Sequence, residues 1–360
     1  MKLFACPHCD QVVYFENVVC ERCNHALGYE PTSNSMLALE KSDDGAWRSV
    51  GATSDGSSWF YCSNYAFGVC NWLTPAEGGE QLCACCRHNL VVPDVSDAAN
   101  VELWRKMELA KRRLFYSLIK LKLPLQTRAE SPEGLGFQFL SDAPDSGSHV
   151  MTGHDDGLIT IALVEADDAE RERRRTSMGE PYRTLLGHFR HEVGHWYWDR
   201  LVRDGGALDE CRQVFGDDSQ DYGQALQTHY ANGPKPGWQN EFVSHYAAAH
   251  PWEDFAETWA HYLHITDTLD TAGAWGFRVD PKVDREDVLT AKVNFDAYGA
   301  STSMERIADS WLGLSSALNS LNRSMGASDP YPFVLAEPVI HKLGFIHDLA
   351  HGRVGTATAQ

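Results

Sequence analysis

The chain has 360 residues, 43% of them hydrophobic and 11% aromatic, enough apolar mass to bury the cores of two or three domains. Its formal net charge of -19 excludes a general affinity for the phosphate backbone of nucleic acids, which depends on Lys and Arg clusters that release counterions. No run of about eighteen apolar residues is present, and Met1-Lys2-Leu3-Phe4-Ala5-Cys6 enters a cysteine pair without the apolar stretch of a secretory signal, so no membrane partner is expected and the chain is placed in the cytoplasm.

In chain order, the first feature is a concentration of cysteine. Nine of the ten cysteines fall in the first 86 residues and Cys211 stands alone beyond them. In a reducing compartment such clustering is read as metal binding before disulfides. Cys6-x-x-Cys9 and Cys20-x-x-Cys23, ten residues apart, have the spacing of two thiolate knuckles converging on one tetrahedral Zn2+. Cys62, Cys70, Cys83 and Cys86 provide four ligands for a second structural zinc, which leaves Cys85 as a spare thiol. Residues 1–97 thus read as a zinc-ribbon region of short segments joined by polar, Gly- and Ser-rich stretches. Five Lys or Arg stand against twelve Asp or Glu in residues 1–100. That field repels phosphate, so a structural role or docking of a protein partner is expected of the ribbons, and nucleic-acid binding is not.

From Asn100 the pattern changes: Leu103, Met107, Ala110, Leu114, Leu118 and Leu121 recur at steps of three and four and stop before Pro124. This predicts a connecting amphipathic helix over 98–125, followed by one domain over 126–360. Within that domain, short strands are expected at 136–140 and, after Asp156-Gly157, in the β-branched run 158–164. A charged stretch at 167–175 leads to a helix over 182–202. Another helix starts near Pro251, because Pro suits the first helical position and Glu253 and Asp254 suit the positive end of the helix dipole. Ile307, Trp311, Leu314, Leu318 and Leu321 mark one more. Residues 205–237 are long and polar, without a legible pattern.

The helix over 182–202 carries His191-Glu192-Val193-Gly194-His195. On a helix the two histidines lie on one face and can share a metal, while Glu192 is turned toward water bound to that metal and can take its proton. A catalytic zinc needs a third protein ligand. The metzincin arrangement is excluded, because Trp198 stands where its Gly belongs and Leu201 where its third His belongs. Glu253 and Glu257, one turn apart on the downstream helix, are the carboxylate candidates: one can bind zinc while the other orients a histidine ligand. His188, His245, His250, His261 and His264 are left outside the ligand set.

Two further segments carry a resemblance. Glu180-Pro181-Tyr182-Arg183-Thr184-Leu185-Leu186-Gly187-His188-Phe189-Arg190 runs into the His191 motif, and Phe242-Val243-Ser244-His245-Tyr246-Ala247 precedes Glu253-Asp254-Phe255-Ala256-Glu257. With the cysteine pattern and Lys111-Arg112-Arg113-Leu114, these resemble a bacterial family of zinc-binding metallopeptidases with an amino-terminal zinc-ribbon region, over almost the whole chain. The two active-site helices and Tyr246 resemble the lethal-factor-like gluzincins. The resemblance implies an α+β fold, a mostly helical zincin-like domain with a small sheet behind a ribbon region. It implies one catalytic and two structural Zn2+, with Glu253 as third ligand, Glu257 behind a histidine, and Tyr246 donating to the oxyanion of a peptide or protein substrate. It also raises the strand at 158–164 as a sheet edge that receives an extended peptide, against an ordinary core strand. The alternative to a peptidase is a zinc-binding adaptor that docks a partner through its ribbons.

Overall fold

The structure is a computed structural model that describes residues 3–52, 54–141, 150 and 152–355. The chain folds as two compact units, Met1–Arg174 and Arg175–Gln360. Among the described residues no helix is long and apolar enough to cross a membrane.

The first unit begins with a hairpin of β1 (Phe4–Ala5) and β2 (Val12–Val13), which frames the first cysteine knuckle. In both knuckles the residue after the second cysteine is left-handed, Asp10 at φ 59 and Asn24 at φ 61. Short polar side chains tolerate that conformation best after glycine. It closes each turn: the Asp10 N–H donates to the Cys6 carbonyl at 2.9 Å and the Asn24 N–H to the Cys20 carbonyl at 2.8 Å.

An antiparallel five-stranded sheet follows, in the order β3 (Ala26–Glu30), β4 (Ser35–Lys41), β5 (Trp47–Val50), β6 (Ser58–Tyr61) and β7 (Leu73–Pro75). Phe15, Tyr29 and Trp72 form the aromatic core beneath it, with ring centroids 4.7 and 4.8 Å apart along the chain of contacts. Helix α1 (Ala98–Lys120) starts on Asp97, whose side chain accepts from the Ala99 N–H. Its Lys-Arg-Arg run is not a solvated face. Arg113 pairs with Glu16 at 2.7 Å, Arg112 donates to Asn71, and Lys111 pairs with Glu108 at 3.1 Å in full burial. These contacts tie the helix to both cysteine-bearing regions.

A four-stranded sheet completes this unit, with β8 (Asn89–Val91), β9 (Gly136–Leu140), β10 (Gly153–Asp155) and β11 (Leu158–Ala162) in the order β10-β11-β9-β8. β11 runs parallel to β9 and antiparallel to β10. It has a partner on each side, so the reading of this strand as an open edge for a peptide is corrected. The cause is the Asp156-Gly157 turn, at φ 45 and 86, which folds β10 back against it. The charged stretch forms α2 (Asp168–Met178).

The second unit contains α3 (Leu185–Tyr197), α4 (Leu208–Phe215), α5 (Tyr222–Asn232), α6 (Pro251–Ala274), α7 (Met304–Ser324) and α8 (Glu337–Ala350), with a hairpin of β12 (Arg278–Val279) and β13 (Ala291–Lys292). α6 is the central element, packed by α3, α7 and α8. α3 and α6 nearly touch at Gly194, where an added Cβ would lie 3.1 Å from Ala256 Cα and 3.2 Å from Trp259 Cβ. Tyr197 stacks on Trp259 at 4.8 Å, and the buried pair Arg190–Asp267 at 2.7 Å clamps the same two helices. On the far side, Lys342 of α8 pairs with Asp254 at 2.6 Å and donates to the Glu241 carbonyl at 2.7 Å.

Candidate active site and metal centres

α3 begins where Thr184 Oγ1 accepts from the Gly187 N–H at 3.0 Å, and it passes into a π-helical turn, Trp198–Arg203, beyond His195. Such turns are frequent at functional sites. α6 has Pro251 in its first turn, and the His250 ring caps it by accepting from the Trp252 N–H at 3.0 Å. These two starts fix the heights of His191, His195 and Glu253 against one another.

Glu253 Oε2 lies 3.0 Å from His191 Nε2 and 3.4 Å from His195 Nε2, and the two imidazole nitrogens are 3.2 Å apart. Zinc bonds of about 2.0–2.1 Å give a tetrahedron with edges of roughly 3.3–3.4 Å, so this triangle has the size of three zinc ligands. Glu253 is buried, and its Oε2 has no hydrogen-bond partner. A buried carboxylate oxygen placed in this way beside two ring nitrogens could hold a cation, since buried charges are paired or coordinate metals. The donor set, two imidazoles and a carboxylate, suits Zn2+ and leaves a fourth position open.

Around this triangle, His191 Nδ1–H donates to Glu257 Oε1 at 2.7 Å, which orients the ring so that Nε2 faces His195 and Glu253. Burial works against the Glu257 charge, yet the bond to His191, the charges of His191 and His261 and the Ser244 bond together outweigh it and bring the carboxyl down to about 2. Ser244 donates to the other Glu257 oxygen at 2.7 Å. Glu192 is buried, and desolvation raises its carboxyl above the usual range. Tyr246 precedes the 3-10 turn Ala247–Ala249, with its ring 6.0 Å from that of His191; burial pushes its phenol up. The Trp252 ring lies tilted against that of His195, with centroids 3.8 Å apart.

Two residues here were not anticipated from the sequence. Ser244 lies inside the quoted segment, but nothing in the pattern says that its hydroxyl reaches Glu257. Tyr222, in the polar window 205–237, donates to Glu253 Oε1 at 2.6 Å. The signal that could have found its helix is Asp221-Tyr222-Gly223-Gln224, a capping pattern in which Asp221 accepts from the Gln224 N–H at 2.8 Å. The other histidines have other work. His261 bonds the Tyr331 hydroxyl at 2.8 Å and His245 stacks on His229, while burial pushes His261 down to about 4 and His264 to about 3.

The structure brings the cysteines together as two groups of four, Cys6, Cys9, Cys20 and Cys23, and Cys62, Cys70, Cys83 and Cys86. Cys85 is buried outside the second group. Sulfur separations of 3.7 Å for Cys6–Cys23, 3.6 Å for Cys9–Cys20 and 3.8 Å for Cys70–Cys83 match the roughly 3.7–3.8 Å edge of a tetrahedron with 2.3 Å zinc–sulfur bonds. Every cysteine is free of disulfides. Beside the second group, Cys86 lies 3.7 Å from the buried Glu108, which Asn89, Trp104 and Lys111 all contact through one oxygen.

Residues 100–349 match a family described as "Putative zinc-binding metallo-peptidase", and residues 3–97 match a zinc-ribbon domain family. Uncharacterized proteins of Mycobacterium bovis and of Mycobacterium tuberculosis are 42% identical over 351 residues, which cover 96% of this chain and 94% of theirs. No solved structure matches the chain.

Proposed function

The chain belongs to this zinc-binding metallo-peptidase family, and on that premise we propose that it hydrolyses peptide bonds at His191, Glu192, His195, Tyr246 and Glu253, by a gluzincin mechanism. The observation that carries the reading is the triangle of His191 Nε2, His195 Nε2 and the buried Glu253 Oε2, with edges of 3.0 to 3.4 Å.

A Zn2+ held there would supply a Lewis acid that polarises a carbonyl and acidifies water. Glu192, buried one residue from His191, is the group that takes the proton of the attacking water and delivers it to the leaving amine. The Tyr246 hydroxyl is the donor for the charge that develops on the carbonyl oxygen. Glu257 and Ser244 act through His191, holding its ring so that Nε2 faces inward. The two cysteine groups are assigned a structural Zn2+ each, because four thiolates close the coordination shell and leave no position for a substrate.

The test is cleavage of a peptide library by zinc-loaded protein beside Glu192→Gln. Activity is expected to fall by about 10²–10⁴ while zinc content stays at the parent's value. A Glu192→Gln protein that cleaves as fast as the parent overturns the reading.

A further inference from the structure

We propose that Tyr222 is a positioning residue of the metal centre: it fixes the Glu253 carboxylate so that a single oxygen faces His191 and His195. The proposal rests on the peptidase reading above. The two Glu253 oxygens are in opposite situations. Oε1 accepts from the Tyr222 hydroxyl at 2.6 Å, in the range of a charge-assisted O–H···O bond, and Oε2 has no hydrogen-bond partner.

Tyr222 is itself held. It opens α5 directly after the Asp221 cap, and its ring meets those of His250 and Trp252 edge-on at 5.3 and 5.4 Å. His250 is the cap of α6, and its Nε2–H donates to the Gln220 carbonyl at 3.2 Å. The segment that carries Tyr222 is therefore fastened to the same helix start that carries Glu253. None of the α5 residues is buried, so the inward turn of this one hydroxyl is not a by-product of core packing.

The consequence is control of how Glu253 binds. A carboxylate with a free Oε1 can rotate away or offer both oxygens to the ion and fill the position that water and the substrate carbonyl need. With Oε1 occupied, Glu253 offers Oε2 alone and the fourth position stays open. Partners of this kind, one bond removed from the ion, change metal affinity by about 10–100-fold when removed.

The experiment is dialysis of the zinc-loaded full chain against graded dipicolinate, with zinc per chain as the readout, for the parent, His191→Ala and Tyr222→Phe. His191→Ala defines the zinc held by the cysteine groups. Tyr222→Phe is expected to lose the additional zinc at about 10–100-fold lower chelator than the parent, with the cysteine-held zinc unchanged. In the His191→Ala background, Tyr222→Phe is expected to leave the thermal midpoint where it was. A Tyr222→Phe profile equal to the parent's overturns the proposal and leaves the peptidase reading standing. An equal drop in thermal midpoint in both backgrounds also overturns it, because it marks a purely structural role. A parent whose profile equals that of His191→Ala overturns the peptidase reading itself.

Discussion

Tyr246 and Tyr222 both approach the same centre, with their hydroxyls within hydrogen-bond reach of each other, and they differ in what else they meet. Tyr222 is committed to Glu253 Oε1. Tyr246, whose ring lies beside His191, is the one assigned to the substrate carbonyl. Tyr246→Phe removes that donor and leaves the zinc ligands intact, so it should lower kcat by about 10²–10³ with KM and zinc content close to the parent's. Steady-state kinetics with a cleaved peptide decide this: a fall in zinc content, or an unchanged kcat, removes Tyr246 from the mechanism. At this scale the sequence was legible where chemistry imposes spacing. His191 and His195 must be one turn apart to share an ion, and so must Glu253 and Glu257 to serve the ion and a histidine. Tyr222 obeys no such spacing, because its hydroxyl arrives from a separate helix and meets Glu253 31 residues along the chain.

The long helices were visible for other reasons. α1 and α7, with 23 and 21 residues, repeat an apolar face over several turns, and α6, with 24, is announced by Pro251 and the acidic residues of its first turn. α4 has eight residues and α5 buries none, so neither displays an apolar stripe of useful length. The five-stranded sheet was hidden because its strands span only three to seven residues. Its partners are set by pairing across the sheet, which no local period records. One residue of the motif makes sense only once α3 and α6 are seen together. Glycine in a helix interior costs about 0.5–1 kcal/mol relative to alanine, yet Gly194 stands between His191 and His195 because Ala256 and Trp259 lie within 3.1 and 3.2 Å of where its Cβ would be. Gly194→Val must push α6 away and should destabilise the second unit by about 1–3 kcal/mol. The shift also separates Glu253 from the two histidines, so bound zinc should be lost at lower chelator. Urea unfolding and zinc analysis check both effects, and an unchanged midpoint with unchanged zinc refutes the close-packing account.

The two units hold their candidate metals in different ways, and this difference predicts how the whole molecule comes apart. In the first unit, Cys62, Cys70, Cys83 and Cys86 are all buried, and α1 is built against them through Glu108, Lys111 and Arg112. Closed tetrathiolate sites of this kind contribute folding free energy on the order of 10–16 kcal/mol, against a whole-domain stability of about 5–15 kcal/mol. Their metal and their fold should leave together. The second unit has a large helical core of its own around α6, with Phe255, Trp259, Tyr262 and Leu263 fully buried. A zinc held as proposed, by three side chains with an open fourth position, should leave first and cost the fold little. Increasing chelator at neutral pH should therefore produce two steps. In the first, one zinc departs and peptide cleavage stops, with far-UV dichroism nearly unchanged. In the second, at much higher chelator, the cysteine-held zinc departs and strand signal is lost while the α6-centred helical signal persists. Zinc analysis and dichroism on the same samples resolve the order. If all zinc and all structure left in one step, the α6 core would not be self-sufficient, and the separation of structural from catalytic metal would fail.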